Sequence, residues 1–187
     1  LVENKRAIYL LILSGGLMSG YYFFKFQNTT QIAIIFSGLL SLLYPFGLRK
    51  LPFSKIFVIS LIWTISTMLL LIFENNIIIT QNIVLHLISR FLFVFALTIP
   101  FDIRDLKYDA QNLETIPLFF GIQKSKLIGL SALFICMLIA IFQSFDNSLN
   151  SSNLLALILL YFVVSIFIAK SDQSKVEMYF SFWIESL

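Results

Sequence analysis

The stretch "LHLISRFLFVFALTIPFDIRDLKYD", residues 85–109, decides what kind of protein this is. Its first part is almost entirely apolar, and its last part carries three aspartates at spacings of three and four, Asp102, Asp105 and Asp109. An apolar run of this length, extended by the residues before it, can cross the ~30 Å hydrocarbon core of a bilayer as a helix. The carboxylates would then follow at the point where the helix leaves the membrane.

The composition of the whole chain supports a membrane location. Hydrophobic residues make up 59% of it and charged residues only 12%, whereas about a quarter of the residues in soluble domains are charged. The alternation that a transmembrane barrel needs is absent. We therefore predict an all-α, polytopic transmembrane helical bundle forming one integral membrane domain over residues 1–187. The predicted spans cover residues 7–24, 31–47, 55–73, 79–101, 126–143 and 153–169, with a seventh beginning near residue 177.

The basic residues fall mainly in the loops at one end of these spans. Eleven lie there, and the opposite loops contain only Lys25 together with the acids Glu74 and Asp146. By the positive-inside rule the basic loops, and with them the aspartate segment, are expected to be cytoplasmic. The net charge of +3 is thereby explained by topology, without a nucleic-acid partner. We expect an integral protein of a membrane, and a bacterial inner membrane is our prediction for its location.

The three aspartates share one helical face if the helix continues through Pro100, since they then occupy positions i, i+3 and i+7. Like charges this close repel one another, and Mg²⁺, which prefers oxygen ligands and often bridges carboxylates to phosphates, would offset the repulsion. The alternative is a solvated acidic patch balanced by Arg104 and Lys107. Soft-metal or nucleophilic chemistry fits poorly, because the chain has one histidine and one cysteine.

Two ionisable residues, His86 and Arg90, lie one turn apart inside the fourth predicted span. Such groups are costly in a membrane and usually face the interior of the bundle. Arg90 lies ~18 Å from Asp102 along a helix, so we expect it to form a structural salt bridge or to contact a cavity wall. For the glycines of the first span, Gly15, Gly16 and Gly20, we expect close helix packing.

The aspartate segment resembles a known motif. "DIRDLKYD" followed by "ETIPLFFG" is similar to the second aspartate-rich motif of the UbiA superfamily of intramembrane prenyltransferases. Asp102, Asp105 and Asp109 match its acids, and the tail of the motif is matched by Thr115, Pro117 and Gly121. A weaker similarity lies upstream in "YPFGLRKLPFSK", residues 44–55, whose Tyr44, Pro45, Arg49 and Lys50 resemble a loop between two spans of the family.

The resemblance implies a UbiA-like helical bundle with a cavity that opens to the membrane lipids. In that family Mg²⁺ on two aspartate motifs holds an isoprenyl diphosphate, whose allylic cation is attacked by a lipophilic acceptor. The implied metal ligands are Asp102, Asp105 and Asp109, with Asp105 and Asp109 as catalytic residues. The residues implied in diphosphate binding are Arg104, Lys50, Arg49 and Tyr44.

One part of the family pattern is missing. The first aspartate motif precedes the span that corresponds to residues 7–24, where this chain has only "LVENKR". We therefore expect the chain to be a piece of a longer protein, inactive by itself. Two alternatives stay open: a noncatalytic membrane protein of the same fold that binds or carries a lipid, and a small transporter, for which intramembrane Arg90 would be suitable.

Overall fold

The computed structural model describes residues 5–109 and 114–184, and all regular structure in these ranges is helical. This confirms the predicted all-α bundle. A 3₁₀ turn at Leu48–Lys50 and a π-helical turn at Tyr179–Ile184 accompany the longer elements. The α-helices are α1 (Lys5–Phe23), α2 (Asn28–Leu43), α3 (Ser54–Thr64), α4 (Leu70–Glu74), α5 (Gln81–Asp109), α6 (Ile116–Phe120), α7 (Ile122–Phe145) and α8 (Ser151–Lys170).

Four apolar stretches among the described residues are long enough to cross a membrane: Ser54–Glu74, Gln81–Leu106, Ile122–Phe145 and Ser151–Lys170. Two shorter apolar helices, Ala7–Phe23 and Asn28–Leu43, precede them. The helices follow the order of the predicted spans. Their ends lie within four residues of those we predicted, except that α5 continues eight residues further, to Asp109. The final π-helical turn lies where a seventh span was expected to begin.

Helix α5 lies at the centre of the bundle and packs mainly against α3 and α7. Its residues Ala96, Ile99 and Ile103 are fully buried. The helix continues through Pro100, although proline has no N–H and its ring crowds the carbonyl one turn back. Neighbouring helices make such a proline tolerable in a membrane protein. The condition for placing the aspartates on one face is therefore met.

Helices α7 and α8 close the other side of the core, and one glycine allows α7 to approach its neighbours. A Cβ added to Gly129 would lie 3.1 Å from Ile99 Cδ1 on α5, so only glycine fits without a shift. The glycines of α1 behave differently from our expectation: an added Cβ at Gly15, Gly16 or Gly20 meets nothing within 4 Å in the described chain. Among the described glycines, Gly129 is therefore the one that lies at a close helix contact.

Helices α3 and α4 form one continuous span interrupted by a π-helical turn at Ile65–Leu69. Hydroxyl groups return hydrogen bonds to the backbone as the turn is approached, from Ser60 to the Ile56 carbonyl and from Thr64 to the Ser60 carbonyl, both at 2.7 Å. Such back-bonding satisfies hydroxyls inside a membrane and often bends a helix. Single π turns are frequent at functional sites.

Candidate active site

Two of the three predicted aspartates come together around one cation. Lys55 Nζ on α3 lies 2.9 Å from Asp102 Oδ1 and 3.6 Å from Asp105 Oδ2 on α5. The Asp102 side chain is almost fully buried, and that of Lys55 is 21% exposed. Two carboxylates one helical turn apart are therefore aimed at the same point between α3 and α5, and a positive charge fills that point.

Lys55 is brought to this point by an unusual backbone at the start of α3. Phe53, two residues earlier, has a φ of 59°, in the left-handed region that a bulky residue rarely adopts. Its N–H donates to the Glu114 carbonyl at 2.9 Å, and its ring packs on Phe119 and Phe120. The segment after the aspartates thus holds the segment that carries Lys55. Strained residues of this kind cluster at functional sites.

Arg104 is the second cation of the cluster. Its Nε donates to Asp105 Oδ1 at 2.8 Å and its Nη2 to Oδ2 at 3.4 Å, so the guanidinium binds both oxygens of one carboxylate. The same group lies over the rings of Phe101 and Phe180, at 5.3 and 5.6 Å from their centres. Arg104 therefore connects α5 to the π-helical turn at Tyr179–Ile184 through cation–π contacts.

The charges of the described cluster balance, since Asp102 and Asp105 face Lys55 and Arg104. A diphosphate carries several negative charges, and a neutral cluster offers it no net attraction. The two carboxylates are hard oxygen donors that converge on one position, which is the donor set Mg²⁺ takes when it bridges protein to phosphate. The residues present therefore fit this metal. Among the described side chains two carboxylates converge, and no set of three metal-binding residues was found.

Asp109 is the last residue of α5, on the same face as Asp102 and Asp105. Its side chain lies outside the described part of the structure. Its role as a metal ligand and catalytic residue therefore stays a prediction.

The tail of the aspartate motif, residues 115–121, forms the short helix α6 and its two ends. Thr115 is extended and precedes the short helix α6, Pro117 occupies its first turn, and Gly121 separates it from α7 with a φ of +80°. Proline is favoured in a first helical turn, and a positive φ favours glycine. The Thr115 hydroxyl is buried without a hydrogen-bond partner among the described residues. The tail thus places α6 under the ring of Phe53.

The structure describes part of the upstream loop that resembles the family. Tyr44 is half-buried at the end of α2, and its carbonyl accepts the Arg49 N–H at 2.9 Å. The Arg49 side chain is exposed. For Lys50 the side chain lies outside the described residues. The described structure shows no contact between Arg49 and the aspartates, so its diphosphate-binding role stays a prediction.

An apolar groove of about 530 Å³ begins at this cluster and runs between α3 and α5. Lys55 and Asp102 line one end, and Trp63 and Arg90 line the other. From Asp102 to Arg90 the groove follows α5 for about 18 Å. The walls between the two ends are apolar, apart from Thr98: Ile59, Phe93, Val94, Leu97, Phe101 and Ile184. A polar end followed by an apolar groove suits a ligand with a polar head and a hydrocarbon tail.

The described chain is a helical membrane bundle with two neighbouring aspartates at one end of an apolar groove. Comparison with known families agrees with this description. The model of the UbiA prenyltransferase family matches residues 1–187. The chain therefore belongs to the UbiA prenyltransferase family and is an integral membrane protein. A search of curated proteins found no match, and a search of solved structures found none either.

Lys55 is the site residue that reasoning from the sequence missed. It lies within the quoted segment "YPFGLRKLPFSK", and we assigned the diphosphate-binding role to Arg49 and Lys50 earlier in that segment. All three residues are basic and lie at the same end of the bundle, so composition alone does not distinguish them. The position of Lys55 in the first turn of α3, facing α5, is what selects it.

Proposed function

We propose that this chain carries the second aspartate site of a membrane prenyltransferase. The enzyme transfers an isoprenyl group from an isoprenyl diphosphate to a lipophilic acceptor within the membrane. One observation carries the proposal: Asp102 and Asp105 converge on a single cation at the charged end of an apolar groove. Membership of the UbiA prenyltransferase family supports the reaction class.

In this proposal Asp102, Asp105 and Asp109 would hold Mg²⁺, and the bound metal would supply positive charge to neutralise a diphosphate leaving group. Lys55 and Arg104 are the described cations beside the two carboxylates, and each can donate hydrogen bonds to diphosphate oxygens.

The groove provides the place for the isoprenyl tail. An apolar groove gives the tail surroundings as apolar as the lipid around the protein, and it also excludes water. Exclusion of water protects a cationic reaction centre from hydrolysis. Phe101 lies beside Asp102 at the charged end, where an aromatic face stabilises a neighbouring cation. We further propose that this end of the bundle is cytoplasmic.

Substitution of the aspartates tests this function in the complete protein. Asp105→Asn and Asp109→Asn preserve shape and remove charge, so prenyl transfer should fall at least about 100-fold, or about 2.7 kcal/mol of barrier. Glu114→Gln is the matched control, because the structure uses the backbone carbonyl of Glu114 and leaves its side chain exposed. The assay follows radiolabelled isoprenyl diphosphate into a membrane-extractable acceptor, with expression level as the folding control. Wild-type turnover in both variants would overturn the assignment of the aspartates, whereas a complete wild-type protein without turnover would favour a noncatalytic lipid-binding protein.

A further inference from the structure

At the end of the groove away from the aspartates, a second polar contact joins α5 to the span Ser54–Glu74. Arg90 on α5 donates from Nε to Thr67 Oγ1 at 3.2 Å, and Thr67 lies in the π-helical turn Ile65–Leu69. The Thr67 hydroxyl in turn donates to the Trp63 carbonyl at 2.7 Å. A guanidinium inside a membrane span is thereby fixed across the end of an apolar groove, beside the indole of Trp63.

The Arg90 end of the groove adjoins a second cavity. Arg90 and Phe93 line both, and the second cavity has a volume of about 180 Å³. Its lining is partly polar, with contributions from His86, Ser89 and Gln143. A hydrocarbon chain that reaches Arg90 therefore meets a charged side chain, which opposes the burial of further methylenes at that point.

The length of the groove determines how many isoprene units fit along it. Each unit adds four chain bonds of about 1.5 Å, which at tetrahedral angles span ~4–5 Å. The ~18 Å between Asp102 and Arg90 along α5 then accommodates about four units. A cavity of roughly 150 Å³ holds one benzene molecule, so the space beyond Arg90 has room for about one more unit.

We propose that Thr67 and Arg90 form a clasp that limits the isoprenyl tail to about four units. The inference rests on the proposed function, because it takes the groove as the tail site. Removal of the Arg90 side chain would join the two cavities and allow one further unit to be buried. Arg90 is then a specificity-determining residue that contacts the end of the tail and takes no part in the chemistry.

Displacement of a labelled isoprenyl diphosphate from the complete protein tests the clasp. The competitors are isoprenyl diphosphates with three, four and five units, in the presence of Mg²⁺. For the wild type, affinity should rise from three to four units and then stay level. For Arg90→Ala the fifth unit should raise affinity by about tenfold, which corresponds to about 1.4 kcal/mol. Arg90→Lys fills the same space with a cation and should keep the wild-type limit.

Thr67→Val keeps the shape of the side chain and removes the hydroxyl that accepts a hydrogen bond from Arg90. It therefore tests the clasp even if Arg90→Ala does not fold. It should raise the affinity for the fifth unit in the same direction, by about threefold. The clasp would be overturned if neither Arg90→Ala nor Thr67→Val bound the five-unit competitor more tightly than the four-unit one. It would also be overturned if Arg90→Lys gained as much affinity for the fifth unit as Arg90→Ala. Failure of the wild type to bind any of the three competitors would overturn the proposed function and the clasp together. Binding that keeps rising to five units in a wild type active in transfer would overturn the clasp alone.

Discussion

The ion pair between Lys55 and Asp102 should contribute measurably to the stability of the folded protein. Asp102 is 2% exposed and lies 2.9 Å from Lys55 Nζ. Breaking a fully buried ion pair costs 3–5 kcal/mol, because one charge remains in a low-dielectric environment. Lys55 keeps 21% of its side-chain exposure, which lowers the expected cost for Lys55→Met to about 2 kcal/mol.

A loss of about 2 kcal/mol should lower the melting temperature by about 4–8 °C for a chain of this size. The measurement is thermal unfolding of the complete protein in detergent without divalent cations, followed by tryptophan fluorescence. Lys170→Met is the matched control: Lys170 is an exposed lysine at the end of α8, and it should change the melting temperature little.

A double-mutant cycle separates the pair from other effects of each substitution. Asp102→Asn alone removes the charge that Lys55 faces, so the combined Lys55→Met and Asp102→Asn variant should lose less stability than the sum of the two single variants. Strict additivity, or an equal melting temperature for Lys55→Met and Lys170→Met, would show that the contact contributes nothing to stability. The reasoning from burial and distance would then be wrong.

Two further predictions concern metal and topology. The complete protein should bind isoprenyl diphosphate at least about tenfold more weakly in excess chelator, and restored Mg²⁺ or Mn²⁺ should recover the affinity, because the described cluster has no surplus positive charge for a diphosphate. Equal affinity in excess chelator would remove the metal from the proposal. In a Cys136→Ala background, a cysteine at position 107 should react with a membrane-impermeant thiol reagent only from the cytoplasmic face, and one at position 148 only from the other face. Labelling of position 107 from outside would reverse the proposed orientation.

The helical bundle was predictable because the membrane leaves few alternatives. A backbone in hydrocarbon must satisfy its own hydrogen bonds, so long apolar segments become helices whatever their detailed sequence. The same constraint explains why α5 continues through Pro100, which in a soluble protein would be expected to end or kink the helix. The continuous helix places Asp102 and Asp105 one turn apart, and the three-residue spacing in the sequence was enough to predict that they share a face.

The helix contacts were less predictable. Glycines in a span predict close packing only when a neighbour is present on their side, and in the described chain this holds for Gly129 and fails for Gly15, Gly16 and Gly20. Side-chain periodicity is of little help here, because lipid and core are both apolar. The left-handed backbone at Phe53 is a further example: its N–H partner, the Glu114 carbonyl, is remote in sequence, and no local pattern indicates the pair.

The two polar contacts across α3 and α5 show what the folded chain adds to the sequence. Twelve residues separate Lys55 from Thr67, and twelve separate Arg90 from Asp102, so antiparallel helices that pair Lys55 with Asp102 also bring Thr67 to Arg90. The sequence alone does not indicate either pair, because basic and hydroxyl residues occur in many loops and spans. Once the helices are paired, however, one register satisfies both ends and leaves an apolar groove between them. The spacing that places the ionic cluster at one end of the groove thereby also places Arg90 at the other end.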